Sequence, residues 1–153
     1  MTTAKTPNAD NHANLDGMAS RFVQVAGLPW ESTNIPGVES ETLLLEKSTG
    51  LLTVLMRMAP GAELPPHTHM QIEQTYVLEG HLVCGEGECR QGDFVWRPAG
   101  SSHKAWSPDG GLFLSTFQVP NMFMIDGGEK DMLGQDWYET WGNALNAPRG
   151  DAA

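Results

Sequence analysis

The sequence predicts an all-β domain: a small barrel of short antiparallel strands with one short helix near the C-terminus. Glycine and proline, 17 and 10 of the 153 residues, recur along the chain, as expected of many short strands joined by tight turns. Short apolar runs alternate with these turn residues. Three of the five histidines and one glutamate are also spaced so that separate strands must bring them together. A chain of this length is sufficient for a single domain with a buried core.

Apolar runs between turn residues predict the strands in order. Leu43–Glu46 and Leu51–Met58 flank Ser48-Thr49-Gly50 and read as a hairpin. Glycine-containing turns at Glu79-Gly80, Gln91-Gly92 and 108–111 separate the remaining strands, which we predict at Thr75–Leu78, His81–Cys84, Asp93–Arg97, Lys104–Trp106 and Leu112–Val119. Beyond Pro120, Gln135–Leu145 has apolar residues at i, i+4 and i+8, which predicts an amphipathic helix. Its tryptophans are expected to pack on the barrel or on a second subunit: Trp137 and Trp141.

Composition limits the domain organisation and the partners. We predict a flexible, polar N-terminal segment over residues 1–20, the domain with its helix over 21–146, and a flexible tail over 147–153. A formal net charge of −10 argues against nucleic acid and anionic membranes as partners. The N-terminal residues lack the apolar core of a signal peptide, and no apolar run is long enough to span a membrane, so we expect a cytoplasmic protein.

The two cysteines, Cys84 and Cys89, flank a four-residue segment that reads as a hairpin turn. Such a turn would place the thiols nearly opposite each other, where a disulfide is geometrically conceivable. In a reducing cytoplasm free thiols are expected instead, and we assign them no catalytic role.

Four residues form a candidate metal site. His67 and His69, two apart in a strand, point to the same face and can bind one ion. Glu73 would lie about 13 Å further along an unbroken strand, so the chain must turn within residues 70–72 to return it on the neighbouring strand. His103 follows the turn-rich segment 98–102 and arrives from a third strand. Imidazole and carboxylate are ligands for divalent transition metals.

The spacing of these residues resembles two motifs of the cupin superfamily. Gly61–Gly80 matches the first motif at every fixed position, and Gly92–His103 matches the second. Ser107 stands where cupins often carry asparagine, at a position that is not a ligand. Residues 97–103 and 106–110 resemble the ChrR-like branch, which includes zinc-binding regulator domains and resembles dioxygenases that cleave diketones and dihydroxyacetophenone. The resemblance, over 28–121, implies a jelly-roll barrel with His67, His69, Glu73 and His103 as ligands.

From this resemblance we expect an enzyme that binds one divalent metal ion. Fe(II) is the expected metal, and Zn, Mn and Ni are the alternatives. The enzyme would act like a non-haem dioxygenase on a small diketone or hydroxyaryl ketone, cleaving a carbon–carbon bond. Two other hypotheses stay open: a zinc-binding, non-enzymatic sensor, and a metal-dependent isomerase or hydrolase. A homodimer is the commonest state in the family.

The substrate pocket is assigned to aromatic residues near the second motif. Strand alternation puts Phe94 and Trp96 on one face, but the sequence leaves open whether that face lines the pocket or forms a dimer interface. His81, next to the first motif, is expected to be a surface residue rather than a fifth ligand.

Overall fold

The structure, a computed structural model, describes residues 4–118, 121–125 and 128–145; the predicted tail at 147–153 lies outside these ranges. Within them the chain forms eleven strands and one α-helix, with short 3₁₀ turns at Asp10–His12 and Val25–Gly27. The elements are β1 Glu31–Ser32, β2 Val38–Glu46, β3 Leu51–Met58, β4 Ala62–Thr68, β5 Glu73–Cys84, β6 Gly87–Arg90, β7 Phe94–Arg97, β8 Ser102–Ser107, β9 Gly111–Phe117, β10 Met122–Ile125, β11 Gly128–Lys130 and α1 Trp137–Leu145.

All strand pairs are antiparallel and form one curled sheet, in the order β1-β2-β3-β9-β5-β8-β4-β10-β11, with β6 and β7 also paired to β5. This is a jelly-roll barrel, as predicted. The long β5 joins the two halves: its first residues pair with β7 and β9, and its last residues pair with β6 and β8. The two halves therefore face each other across an interior to which both contribute side chains.

Apolar side chains from both halves fill the barrel. Val77, Phe113 and Phe123 are fully buried, as expected of inward-facing positions on alternating strands. They belong to one continuous core that also contains Ile35, Val38, Met56, Met58, Ala62, Leu64, Leu82 and Ala105.

Strand β5 differs from the prediction of two strands separated by a turn at Glu79-Gly80. The chain continues through this point with a register irregularity between Val77 and Glu79, and Gly80 adopts φ +81°. A Cβ on Gly80 would lie 2.0 Å from the Gly110 carbonyl oxygen, so β5 and β9 approach closely here because residue 80 is glycine. The bend lets one long strand serve both halves of the barrel.

Two other local features concern strand register. Pro65 and Pro66 lie inside β4, at a register irregularity between Leu64 and His67, where a missing N–H is tolerated. Cys84 pairs with Gly87, whereas Cys89 pairs with Leu82. The two cysteines are therefore diagonal rather than opposite, and both are free thiols in the structure.

The C-terminal helix closes against the barrel. Helix α1 begins at Trp137 rather than Gln135; Trp137 and Trp141 are buried, and Trp141 Nε1 donates to Asp131 Oδ2 at 3.2 Å. At the other end of the chain, Lys5 pairs with Leu45 through backbone hydrogen bonds. No helix within the described ranges is long and apolar enough to cross a membrane.

Candidate metal centre

Three histidines converge inside the barrel. His67 on β4 and His103 on β8 are directly opposite in the antiparallel register, and His69 lies one residue beyond the end of β4. Their ring centroids lie 4.5–4.9 Å apart, and one ring nitrogen from each lies within 4.8 Å of the others. His67 and His69 are buried, and His103 is partly buried. The cluster predicted from spacing is therefore present for the three histidines.

The surroundings of His67 and His103 favour the neutral, metal-binding form of imidazole. Burial lowers the pKa of His67 to about 4, against the opposing effect of its contact with the Pro65 carbonyl. Burial is also the main reason that the pKa of His103 falls to about 3. His67 Nδ1 lies 2.8 Å from the Pro65 carbonyl oxygen, which can only accept, so Nδ1 carries the proton and the Nε2 lone pair is left available. Phe123 stacks on the same ring at 4.7 Å and fixes its orientation.

Glu73 reaches the cluster from the opposite half of the barrel. It starts β5 and pairs with β7 and β9, so it does not lie on a neighbour of β4 as the sequence suggested. Its Oε2 lies 3.3 Å from His69 Nδ1 and accepts a hydrogen bond from Asn121 Nδ2 at 2.8 Å. Burial alone would raise the pKa of Glu73, but the contacts with His69 and Asn121 outweigh it and hold the pKa below its ordinary value. The carboxylate is therefore ionised beside the three rings.

Sequence reasoning missed two residues that lie beside this carboxylate. Asn121 is one of them, and no motif marks it. The other is Arg97, whose Nε lies 3.6 Å from Glu73 Oε1. Arg97 belonged to the segment that resembled the ChrR-like branch, but only the pairing of β7 with β5 brings it opposite Glu73.

The residues present fit a divalent transition metal. His69 and His103 have ring nitrogens that are buried without a hydrogen-bond partner in the part of the chain that the structure describes, and an ion would satisfy one such nitrogen on each ring. An interior cavity of about 20 Å³, lined by residues including His67, Glu73 and His103, adjoins them. That volume is sufficient for one water-sized occupant. Two nitrogens that bind one ion through bonds of about 2.1 Å can be at most about 4.2 Å apart, so small side-chain movements would bring the nitrogens of the three rings into range.

Comparison with known proteins identifies the family. The family model described as the ChrR Cupin-like domain matches residues 18–121, more than half of the chain. The chain belongs to this cupin family. The resemblance read from the two motifs is thereby confirmed. No curated protein sequence matches significantly.

Solved structures support the same fold. An RmlC-like cupin from Shewanella frigidimarina has 25% identity and a TM-score of 0.57, covering 65% of this chain and 90% of its own. An acetylacetone dioxygenase from Acinetobacter johnsonii has 20% identity and a TM-score of 0.66, covering 89% and 98%. The anti-sigma factor ChrR, in complex with SigE from Rhodobacter sphaeroides, has 19% identity and a TM-score of 0.53, covering 61% and 50%.

A surface cleft of about 370 Å³ leads towards the histidine cluster of this cupin. Such a volume is within the range of small-molecule sites. Arg97 and His103 line both the cleft and the interior cavity, so the cleft and the cavity adjoin at these two residues. Phe94 and Trp96 also line the cleft, on the face of β7 opposite Arg97, and are 53% and 58% exposed.

The other two histidines lie apart from the cluster. His81 is buried rather than on the surface as expected, with Nε2 2.8 Å from Glu88 Oε2 and Nδ1 3.5 Å from Asp109 Oδ2. Its carbonyl accepts a hydrogen bond from the fully buried Ser107, which replaces the asparagine common in cupins. His12 Nε2 lies 3.0 Å from the Phe22 carbonyl oxygen.

Proposed function

We propose that this cupin is a metal-dependent enzyme, a non-haem Fe(II) dioxygenase-like protein that cleaves a carbon–carbon bond of a small diketone or hydroxyaryl ketone. The observation that carries the proposal is the three-imidazole cluster next to an open cleft. His67, His69, Glu73 and His103 are the proposed ligands. The fold likeness to an acetylacetone dioxygenase supports the choice of substrate class.

The chain's own side chains would prepare this site. When bound, Fe(II) would supply a Lewis acid that two adjacent substrate oxygens can chelate and a centre for activating oxygen. Pro65 and Phe123 orient the His67 ring, and Asn121 orients the Glu73 carboxylate. Apolar side chains such as Leu64 and Ala105 border the interior cavity and limit access of water. Such fixed orientation of ligands is what sustains metal affinity.

The zinc-sensor hypothesis remains the second candidate because the family model carries the ChrR description and the ChrR structure contains a sigma factor. A sensor would bind zinc and a protein partner without turnover. Metal-dependent isomerisation or hydrolysis is the third candidate, and it differs from the first in consuming no oxygen. Because metal affinity follows the Irving–Williams order regardless of function, ligand type alone does not choose among Fe, Zn, Mn and Ni.

The deciding experiment measures metal content by mass spectrometry, on protein expressed at low level and purified without chelators or an affinity tag. Near-stoichiometric iron or manganese would favour the oxygenase. Oxygen consumption would then be screened with diketones and hydroxyaryl ketones. Near-stoichiometric zinc with no oxygen uptake would instead favour the sensor, to be followed by a search for co-purifying partners. Less than about a tenth of an equivalent of any transition metal, even after reconstitution, would contradict all three.

We also propose a cytoplasmic homodimer with an exposed aromatic surface at its interface. Phe94 lies directly opposite Tyr76 on the outer face of β5 and β7, with Trp96 nearby. Exposed apolar clusters of this kind commonly mark interaction sites. Light scattering would show a dimer for the unmodified protein and a monomer for Trp96→Glu. Phe22→Glu, which changes another exposed aromatic residue, is the matched control and should stay dimeric. If Trp96→Glu also remains a dimer, Phe94 and Trp96 are better assigned to the substrate pocket alone.

A further inference from the structure

Arg97 is a buried cation whose hydrogen-bonding capacity is largely unused. The residue ends β7 and is 8% exposed. Its contacts in the described part of the chain are a long hydrogen bond from Nη1 to Cys84 Sγ at 3.8 Å and the approach of Nε to Glu73 Oε1 at 3.6 Å. Nε has no hydrogen-bond partner there. A guanidinium has five donors and binds a carboxylate through two bonds of about 2.8 Å, so Glu73 does not satisfy it.

The oxygens of Glu73 are engaged elsewhere. Oε2 is held by Asn121 and approached by His69, and Oε1 accepts a hydrogen bond from Thr75 Oγ1 at 3.4 Å. These contacts hold the carboxylate towards the histidine cluster. The guanidinium of Arg97 therefore keeps donors for another group.

The charge balance of the loaded site calls for an anion. Imidazole binds a metal ion as a neutral ligand, so a divalent ion and Arg97 together would bring three positive charges against the one negative charge of the Glu73 carboxylate. Buried charge is costly unless a counter-charge accompanies it. Two acidic residues at the cleft, Glu86 and Glu88, do not provide this compensation because their side chains are exposed and screened by water.

The location of Arg97 lets a bound molecule reach it and the metal together. Arg97 and His103 both line the cleft of about 370 Å³ and the interior cavity. A small molecule that enters the cleft can present a carboxylate to Arg97 and place its carbonyl oxygens by the histidines. We propose that Arg97 selects a substrate bearing a carboxylate, so that the substrate class is an oxo acid rather than a neutral ketone. This inference rests on the proposed metal-dependent function and refines its substrate.

The test compares two probes that differ in charge and by a single methyl group: 2,4-dioxopentanoate and its methyl ester. Both carry the same diketone. Their dissociation constants are measured by calorimetry on zinc-loaded protein, where no redox turnover interferes. We expect the acid to bind at least tenfold tighter than the ester, as a charge-assisted pair with arginine provides. In Arg97→Gln the ratio of the ester's dissociation constant to the acid's should fall to about three or less. In Arg97→Lys, which keeps the charge but not the planar guanidinium group, this ratio should be intermediate.

Each outcome decides the inference. Equal binding of acid and ester to the unmodified protein overturns it, as does binding of neither probe. An undiminished preference for the acid in Arg97→Gln also overturns it, because the metal alone would then be the source of the selectivity. Circular dichroism and metal content establish that each variant is folded and loaded, and the comparison on unmodified protein stands even if a variant is not. Absence of metal binding or of oxygen uptake counts against the proposed function, whereas the acid-to-ester ratio reports on Arg97.

Discussion

Replacing His103 by alanine should remove metal binding while leaving the metal-free barrel folded. His103 is partly buried, and neither of its ring nitrogens has a hydrogen-bond partner among the described residues, so its removal orphans no other group in the metal-free protein. Substitution of His103 should disturb the metal-free protein less than substitution of His67, because the His67 ring packs on Phe123 and contacts the Pro65 carbonyl. His12→Ala is the matched control, because His12 lies outside the cluster.

The expected effect of metal binding can be stated as a rise in the melting temperature. Free metal at 100 times its dissociation constant stabilises the folded state by about 2.7 kcal/mol. At about 2.1 cal/mol/K per residue, the unfolding entropy of a 153-residue chain is about 0.3 kcal/mol/K. The metal should therefore raise the melting temperature of the unmodified protein and of His12→Ala by about 8 °C. For His103→Ala we expect a rise of less than about 2 °C, since loss of one ligand removes most of the affinity.

The assay is thermal unfolding followed by circular dichroism, with and without metal, combined with metal content by mass spectrometry. A full temperature shift and stoichiometric metal in His103→Ala would refute the ligand assignment. Loss of the shift in His12→Ala would show that the effect does not come from the cluster.

Three further predictions concern the Glu73 carboxylate, the buried His67 ring and the close approach of β5 and β9 at Gly80. Glu73→Gln keeps the shape of the side chain but removes its charge, so metal affinity should fall at least tenfold; an unchanged dissociation constant would exclude Glu73 as a ligand. In the metal-free protein the pKa of His67 is lowered from 6.5 to about 4, so the stability it contributes should be complete above pH 6.5 and lost as the pH falls towards 4. Ring titration by NMR should give a midpoint below 5 rather than near 6.5. Gly80→Ala places a Cβ 2.0 Å from the Gly110 carbonyl oxygen and should lower the free energy of unfolding by more than about 2 kcal/mol in urea denaturation. Gly92→Ala has a similar φ of +87° but no atom within 4 Å, so it should cost only about 1 kcal/mol; equal losses in the two variants would contradict the steric argument.

The sequence was most informative where chemistry depends on local spacing. Histidines two residues apart share a strand face, so His67 and His69 could be paired before any fold was known. Turn residues marked most strand ends, and the pattern of tryptophans located the helix to within two residues of its observed start. The two cupin motifs extended this prediction to the barrel and to the third histidine, and the family match confirms the resemblance to cupins.

Local sequence patterns did not predict the features that depend on pairing between strands far apart in the chain. The bend at Gly80 looked like a turn because glycine serves both purposes, and only the pairing of β5 on both sides shows a continuous strand. The offset of Cys84 from Cys89 is a matter of register, which composition does not specify. Likewise, alternation grouped Phe94 with Trp96, but the inward side of β7 was decided by the burial of Arg97.

The sequence by itself determined the fold class, the histidines of the cluster and the carboxylate beside them, because their motifs are local and chemically distinctive. Tertiary structure decided how this carboxylate is held and what else faces the centre. Asn121 is 48 residues from Glu73, and Arg97 meets it only through the pairing of β7 with β5. The sequence around each residue gives no sign of its contact with Glu73, because contacts between residues far apart in the chain arise from the packing of the whole barrel.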